Sequence, residues 1–166
     1  MAPKVSPQKK CVLGIDIGGS KVRCMLYEQL PNGKLSQEPI AGTKQEKETQ
    51  VTLDGSKEQI GRLMQAAAAT ALEKGYALTK VGIGFPGRIK DEIVLSGGAP
   101  NMPEFDGHNV VRFYQDLAPE GVNVSVVNDA TAQMLGILED MKVNRQAEFA
   151  KLLPEQDKDY RVVGYI

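Results

Sequence analysis

The sequence predicts an α/β fold, because short apolar strands alternate with amphipathic helices along most of its length. Three of the strands end in polar or glycine-rich turns, at Asp16, at Gly87 and at Asn128-Asp129. Ligands of open α/β sheets collect at the carboxyl ends of strands, so the same pattern predicts where a site lies. The 166 residues are 42% hydrophobic and 25% charged, a balance that suits a single domain with a buried core.

The chain is predicted to begin with a flexible arm, residues 1–10, followed by two strands over residues 11–17 and 21–27. Both segments are apolar enough for strands buried in a sheet. The two cysteines of the chain fall inside them. With one histidine in the whole sequence, these residues cannot assemble a structural zinc site.

The turn between these strands predicts an anion site. Gly18 and Gly19 can take positive φ and let consecutive N–H groups approach phosphate oxygens. Asp16 precedes them at the end of the strand, and Ser20 and Lys21 add a hydroxyl and a cation. An ordinary hairpin turn, with Asp16 as a turn residue, is the alternative explanation of the same residues.

The next segments continue the alternation of strands and helices. Residues 40–53 are polar with weak alternation and predict a third strand. A capping box at Ser56 opens a helix that ends at Gly75. Its apolar residues have helical spacing: Ile60, Leu63, Met64, Ala67, Ala71 and Leu72. A strand over residues 80–85 then leads into the special turn that contains Gly87.

The last clear elements end in the third polar cluster. Residues 92–95 predict a short strand or hairpin arm, and residues 109–117 predict a short amphipathic helix. A β-rich strand over residues 122–127 leads into Asn128-Asp129, where a further helix begins. Asp129 either caps that helix or serves as a general base for a substrate hydroxyl.

Composition excludes several classes of function. Lys and Arg number 20 against 21 Asp and Glu, a formal net charge of −1, so no overall field attracts nucleic acid or an anionic membrane. No apolar run reaches about 18 residues and no signal peptide is present, which predicts a cytoplasmic protein. The sequence contains neither a Gly-x-Gly-x-x-Gly dinucleotide fingerprint nor a Walker-type phosphate loop.

Four motifs, in this order, resemble those of the ROK family of sugar kinases and sugar-responsive repressors, within the actin-like, hexokinase-like ATPase superfamily. They are Gly14–Lys21, Gly82–Arg88, Pro100–Met102 and Val127–Ala132. The resemblance implies a ribonuclease H-like lobe with a mixed five-stranded sheet and flanking helices. Residues 11–160 would be the N-terminal lobe of the family, and residues 161–166 the first strand of a C-terminal lobe. The family's second phosphate loop, zinc motif and adenosine site are absent from this chain.

The resemblance also implies a role for each candidate residue. Asp129 would be the catalytic base, and Asp16 would lie near Mg²⁺ and the phosphates and hold the metal indirectly. The first phosphate loop, which binds nucleotide, would comprise Asp16, Gly18, Gly19, Ser20 and Lys21. The contacts to sugar hydroxyls would come from Gly87, Asn101 and Asn128.

The function that this resemblance implies is phosphoryl transfer from ATP, or alternatively from polyphosphate, to a hexose hydroxyl with Mg²⁺. Its partners would be a sugar and a nucleotide, with no nucleic acid or membrane, and the full-length protein would be a homo-oligomer. The isolated lobe is expected to be inactive. A ROK-type transcriptional regulator is one alternative, but the ten residues before Cys11 cannot hold a helix-turn-helix. A non-catalytic sugar-binding or assembly module is another, and the presence of both Asp16 and Asp129 argues against it.

Overall fold

The computed structural model describes residues 9–133 and residue 135. The chain divides into two compact units, residues 1–129 and residues 130–166. In the second unit, residues 130–133 and 135 are helical.

Three predicted segments fall wholly or mostly outside the described residues. They are the flexible arm, apart from its last two residues, the connecting segment up to residue 160, and the strand over residues 161–166. The arm was predicted to reach residue 10, but Lys9 and Lys10 already belong to the first strand. Pairing with both neighbouring strands extends this strand beyond its apolar residues.

In the first unit, seven strands and two helices follow one another between Lys9 and Asn128. In chain order the strands are β1 (Lys9–Ile17), β2 (Lys21–Gln29), β3 (Gln45–Glu48), β4 (Tyr76–Phe85), β5 (Ile89–Lys90), β6 (Ile93–Val94) and β7 (Asn123–Asn128). The helices are α1 (Leu53–Glu73) and α2 (Val110–Gln115), with a 3₁₀ turn at Pro103–Phe105.

Five of the strands form one mixed sheet, in the order β3-β2-β1-β4-β7. Strand β2 runs antiparallel to both β1 and β3. Strands β1, β4 and β7 run parallel to one another. The remaining two strands, β5 and β6, form a separate hairpin, as the prediction for residues 92–95 allows. The predicted α/β fold with a mixed five-stranded sheet and flanking helices is therefore confirmed.

The hydrophobic core joins the sheet to both helices. Alternate residues of β1 are buried, and five of the six α1 residues that recur at helical spacing are buried with them. Phe105, Tyr114 and Phe85 are the largest fully buried side chains. The rings of Phe85 and Phe105 lie 5.3 Å apart, and those of Phe105 and Phe113 lie 5.2 Å apart. This aromatic cluster connects the end of β4 to the 3₁₀ turn and α2.

The predicted capping box at Ser56 is wrong. Helix α1 begins at Leu53, and the side chain of Thr52 accepts a hydrogen bond of 3.1 Å from the N–H of Gly55. Ser56 is instead buried one turn inside the helix, where its hydroxyl shares a hydrogen bond of 3.1 Å with the hydroxyl of Tyr114. Thr52 therefore has the role that local pattern assigned to Ser56.

Leu72 was also misplaced, since 62% of its surface is exposed. The buried residues Ile60, Met64, Ala67 and Ala71 recur every three to four positions and form one stripe along α1, and Leu72 lies about 100° around the helix from Ala71, outside that stripe. Ala71 lies in the stripe and is fully buried.

The bounds of β3 and β4 differ most from prediction. The third strand covers Gln45–Glu48 rather than residues 40–53. Before it, the buried hydroxyl of Thr43 accepts from the N–H of Leu26 and donates to the carbonyl of Ile40, which holds a turn. Strand β4 begins at Tyr76, four residues before the predicted start, directly after the turn at Gly75.

Within the described residues, no helix combines the length and apolar character that crossing a bilayer requires.

The buried Tyr114 hydroxyl makes stability depend on pH in the alkaline range. Burial raises its pKa to about 12, from an ordinary value of 10.0. The folded protein thus holds this proton more tightly than the unfolded chain, so the stabilisation is complete below pH 10 and is lost as the pH rises to 12. Between pH 10 and pH 12, the free energy of unfolding should therefore fall by roughly 2 kcal/mol less in Tyr114→Phe than in wild type, as measured by urea denaturation at each pH. Equal slopes for variant and wild type would contradict this expectation.

Candidate functional site

The parallel strands bring the predicted site residues to one edge of the sheet, the edge at which the carboxyl ends of β1, β4 and β7 lie. Asp16 in β1 is level with Gly84 of β4, and Phe85 of β4 is level with Asn128 at the end of β7. Neighbouring strands lie about 4.8 Å apart, so the polar ends of β1 and β7 are separated by roughly 10 Å. The end of β4 lies between them.

Residues 18–21 form the turn between β1 and β2, and the N–H of Gly18 donates to the carbonyl of Lys21 over 2.9 Å. The prediction of positive φ at Gly18 and Gly19 is wrong, because neither glycine has a positive φ. The space beside each of them is restricted instead. A Cβ on Gly18 would lie 3.0 Å from the Lys21 carbonyl oxygen, and a Cβ on Gly19 would lie 2.9 Å from Nδ2 of Asn101. The turn and Asn101 are therefore in close contact.

Thr49, just beyond β3, holds this turn from the side. Its Oγ1 donates to the carbonyl of Gly18 over 2.7 Å, and its N–H donates to the carbonyl of Ser20 over 3.0 Å. In the part of the chain that the structure describes, no protein acceptor is bonded to the N–H groups of Gly19 and Ser20. Consecutive N–H groups at a turn can bind the oxygens of an anion.

The cation of the turn is already paired. Nζ of Lys21 lies 2.5 Å from Oε1 of Glu46 on β3, and Nε of Arg23 lies 2.8 Å from Oε2 of the same carboxylate. Hydrogen bonds from Lys21 and then Arg23 lower the pKa of Glu46 to about 2. Asp16 faces Arg23 across the β1–β2 ladder. Two cations and two carboxylates thus lie side by side at this edge.

Gly87 and Asn128 meet at the ends of β4 and β7. Nδ2 of Asn128 donates to the carbonyl of Gly87 over 2.8 Å. The N–H of Gly87 donates to the carbonyl of Phe85 over 2.9 Å, which closes a tight turn directly after β4. The structure therefore brings together two of the three residues predicted to contact sugar.

Asn101, the third, is exposed on a loop that hydrogen bonds fix in place. The N–H of Arg88 donates to the carbonyl of Gly98 over 2.9 Å, which ties the loop to the turn after β4. The N–H of Gly97 donates to Oδ2 of Asp106 over 2.7 Å, which ties it to the segment after the 3₁₀ turn. These contacts hold Asn101 against the turn that contains Gly19.

Asp129 follows β7 directly and is half-buried. The helical conformation begins at this residue, so Asp129 lies at the N-terminus of the helix. A carboxylate in the first turn of a helix is stabilised by the positive end of the helix dipole. Its position beside Asn128 places an acid next to the predicted sugar contacts.

The donors at this edge suit a magnesium ion that arrives with phosphate. Among residues 9–133 and 135, no group of three His, Cys, Asp or Glu side chains could hold a metal ion by itself. Mg²⁺ is usually held by one or two carboxylates together with substrate phosphates and water. Asp16 is an exposed carboxylate beside the turn with available N–H groups, so the residues present fit such an ion.

Replacing Gly87 by Ala should damage both the fold and the site. An added Cβ would lie 2.7 Å from Cε1 of Phe85 and 2.9 Å from Cβ of Ala99, and neither neighbour is the flexible end of a side chain. We expect a loss of about 1–3 kcal/mol in the free energy of unfolding, measured by urea denaturation.

Gly61→Ala is the matched control for this substitution. Its added Cβ in α1 would meet Leu117 at an ordinary 3.9 Å. That variant should gain about 0.5–1 kcal/mol from the higher helix propensity of alanine. Equal stability of Gly87→Ala and wild type would show that the turn after β4 can relax.

Comparisons with known proteins find likeness in structure. No protein-family model and no curated protein matches the sequence. A ROK family glucokinase from Streptomyces griseus, in complex with glucose and AMPPNP, matches with a TM-score of 0.54 and 24% identity, covering 79% of this chain and 36% of its own. A ROK hexokinase from Thermus thermophilus matches with a TM-score of 0.54 and 21% identity, covering 79% of this chain and 38% of its own.

A ROK family transcriptional regulator, a homologue of the E. coli MLC protein, also matches, with a TM-score of 0.58 and 15% identity. The match covers 86% of this chain and 33% of the regulator. These three structural neighbours are ROK proteins, two of them sugar kinases, and the chain has their actin-like ATPase fold, as the sequence predicts. It spans about 36–38% of the length of the two kinases.

Proposed function

We propose that this chain is the N-terminal lobe, residues 11–160, of a ROK-type sugar kinase that transfers the γ-phosphoryl group of ATP to a hexose hydroxyl. The observation that carries the proposal is the grouping of three features at one edge of the sheet. They are an exposed Asp16, a turn with available N–H groups at Gly19 and Ser20, and Asp129 next to the bonded pair of Asn128 and Gly87. The likeness in fold to sugar kinases supports it.

On the sugar side, Gly87, Asn101 and Asn128 would bind hydroxyl groups and fix the orientation of the ring. The carboxylate of Asp129 would accept the proton of the attacking sugar hydroxyl while the hydroxyl oxygen forms a bond to the γ-phosphorus. The bond between that phosphorus and the bridging oxygen breaks, and ADP leaves with the bonding electrons. Such reactions depend mainly on positioning and on stabilising charge.

On the nucleotide side, the N–H groups of Gly19 and Ser20 and the hydroxyl of Ser20 would bind phosphate oxygens. Lys21 would contribute positive charge at the base of the turn, while its ammonium lies on Glu46. Bound Mg²⁺ would neutralise developing charge on the phosphates, and Asp16 would hold it through water.

A substrate panel tests the proposal. The full-length protein would be incubated with hexoses and amino sugars, with Mg·ATP or polyphosphate as phosphoryl donor, and sugar phosphate would be detected by mass spectrometry. We expect phosphorylation of at least one sugar, and none by the 166-residue chain alone. Failure of the full-length protein with every sugar and both donors would reject the kinase proposal.

A sugar-binding regulator is the second candidate, because a ROK family transcriptional regulator shares the fold. A non-catalytic sugar-binding module would give the same signature. Either predicts that calorimetry detects sugar binding while no sugar phosphate forms. The kinase proposal predicts both binding and turnover, so the two measurements together separate the candidates.

A further inference from the structure

We propose that Thr49 is a positioning residue that presents the turn of residues 18–21 to the phosphates of the nucleotide. This inference rests on the proposed kinase function and deepens it. Thr49 would not touch the phosphates. It would act through the backbone of the turn, which it holds by two hydrogen bonds.

The first bond sets the direction of one N–H group. The carbonyl of Gly18 and the N–H of Gly19 belong to the same peptide plane, and in a trans peptide they point in opposite directions. Because Oγ1 of Thr49 donates to that carbonyl over 2.7 Å, the N–H of Gly19 is turned away from Thr49. It is left without a protein acceptor among the described residues and is available to an anion.

The second bond holds the other end of the turn. The N–H of Thr49 donates to the carbonyl of Ser20 over 3.0 Å, which continues the pairing of β2 with β3 by one residue. Together the two bonds span Gly19, the residue whose missing side chain lets Asn101 approach. A shift of this turn would therefore disturb the phosphate contact directly.

The side chain of Thr49 has no substitute in this role. Across residues 9–133 and 135, no other side chain hydrogen-bonds to the backbone of residues 18–21. The nearby ion pairs of Glu46 hold the side chains of Lys21 and Arg23 to β3, but they leave the peptide planes of the turn unfixed. The hydroxyl of Thr49 is thus the specific element to remove.

The test compares Thr49→Val, which keeps the side-chain shape and removes the hydroxyl, with Thr49→Ser, which keeps the hydroxyl. In the full-length protein, Thr49→Val should raise the KM for Mg·ATP about tenfold, the effect of losing one hydrogen bond of ordinary strength. The KM for the sugar should stay within about twofold of wild type. Thr49→Ser keeps the hydroxyl, so its KM for Mg·ATP should be close to that of wild type. Thr49→Ala is a second removal of the hydroxyl and should behave as Thr49→Val does.

Thr43→Val is the matched control, because Thr43 also uses its hydroxyl to hold backbone but bonds to Leu26 and Ile40, away from the turn. It should lower stability and leave both KM values unchanged. An unchanged KM for Mg·ATP in Thr49→Val, or an equal rise in Thr43→Val, would overturn the role of Thr49 while wild-type turnover still supports the kinase. Absence of turnover in the wild-type protein would overturn both proposals.

Discussion

Replacing Asp129 by Asn is expected to lower kcat for sugar phosphorylation by about 10²–10⁴, the usual contribution of a general base. The amide keeps the size and shape of the side chain but cannot accept the proton of the attacking hydroxyl. Sugar binding should persist, because the contacts assigned to Gly87, Asn101 and Asn128 remain. Steady-state kinetics would give kcat, and calorimetry would give the sugar affinity.

Asp116→Asn is the control for this substitution, since it removes an exposed carboxylate that precedes β7 and lies at the end of α2. Its kcat should match that of wild type. Near-normal kcat in Asp129→Asn would leave Asp129 with a structural role at the start of the helix and would remove the base from the proposed mechanism.

Replacing Phe105 by Ala is expected to cost about 3–5 kcal/mol of the free energy of unfolding. Phe105 is fully buried, and its ring contacts those of Phe85, Phe113 and Tyr114. Removing it leaves a cavity between the end of β4 and α2. Since domains of this size are stable by about 5–15 kcal/mol, this loss would be a large share of the total.

Urea denaturation would measure this loss. Phe105→Leu should cost less, because it refills part of the cavity. Leu72→Ala should change stability by no more than about 0.5 kcal/mol, because Leu72 is largely exposed on α1. A loss below about 1 kcal/mol in Phe105→Ala would mean that the neighbouring rings collapse into the space.

The fold could be predicted from sequence because its main signals are local. The near-continuous apolar runs of β1 and β2 and the glycine turns after β1 and β4 are visible in the sequence alone. The same is true of the helical spacing of α1, where every predicted apolar residue except Leu72 is buried. Strand ends marked by Asp16, Gly87 and Asn128 then follow from the topology of parallel strands.

The contacts that hold the turn of residues 18–21 in place could not be predicted in this way. Thr49 and Glu46 lie in a polar segment with no clear periodicity, and their roles depend on the pairing of β3 with β2. The cap of α1 also depends on a distant contact, because Ser56 is buried against Tyr114 inside the helix and Thr52 is the N-cap. The space needed at Gly19 depends on Asn101, which is 82 positions away in the chain.

The length and charge of β3 also bear on aggregation. This strand is an outermost strand of the sheet, and its unpaired backbone groups could pair with a strand from another molecule. It is four residues long, and three of them are charged: Glu46, Lys47 and Glu48. Short, charged edges discourage such pairing. Substitutions that made β3 longer or more apolar would therefore risk polymerisation of the sheet edge, even where they left the ion pairs of Glu46 intact.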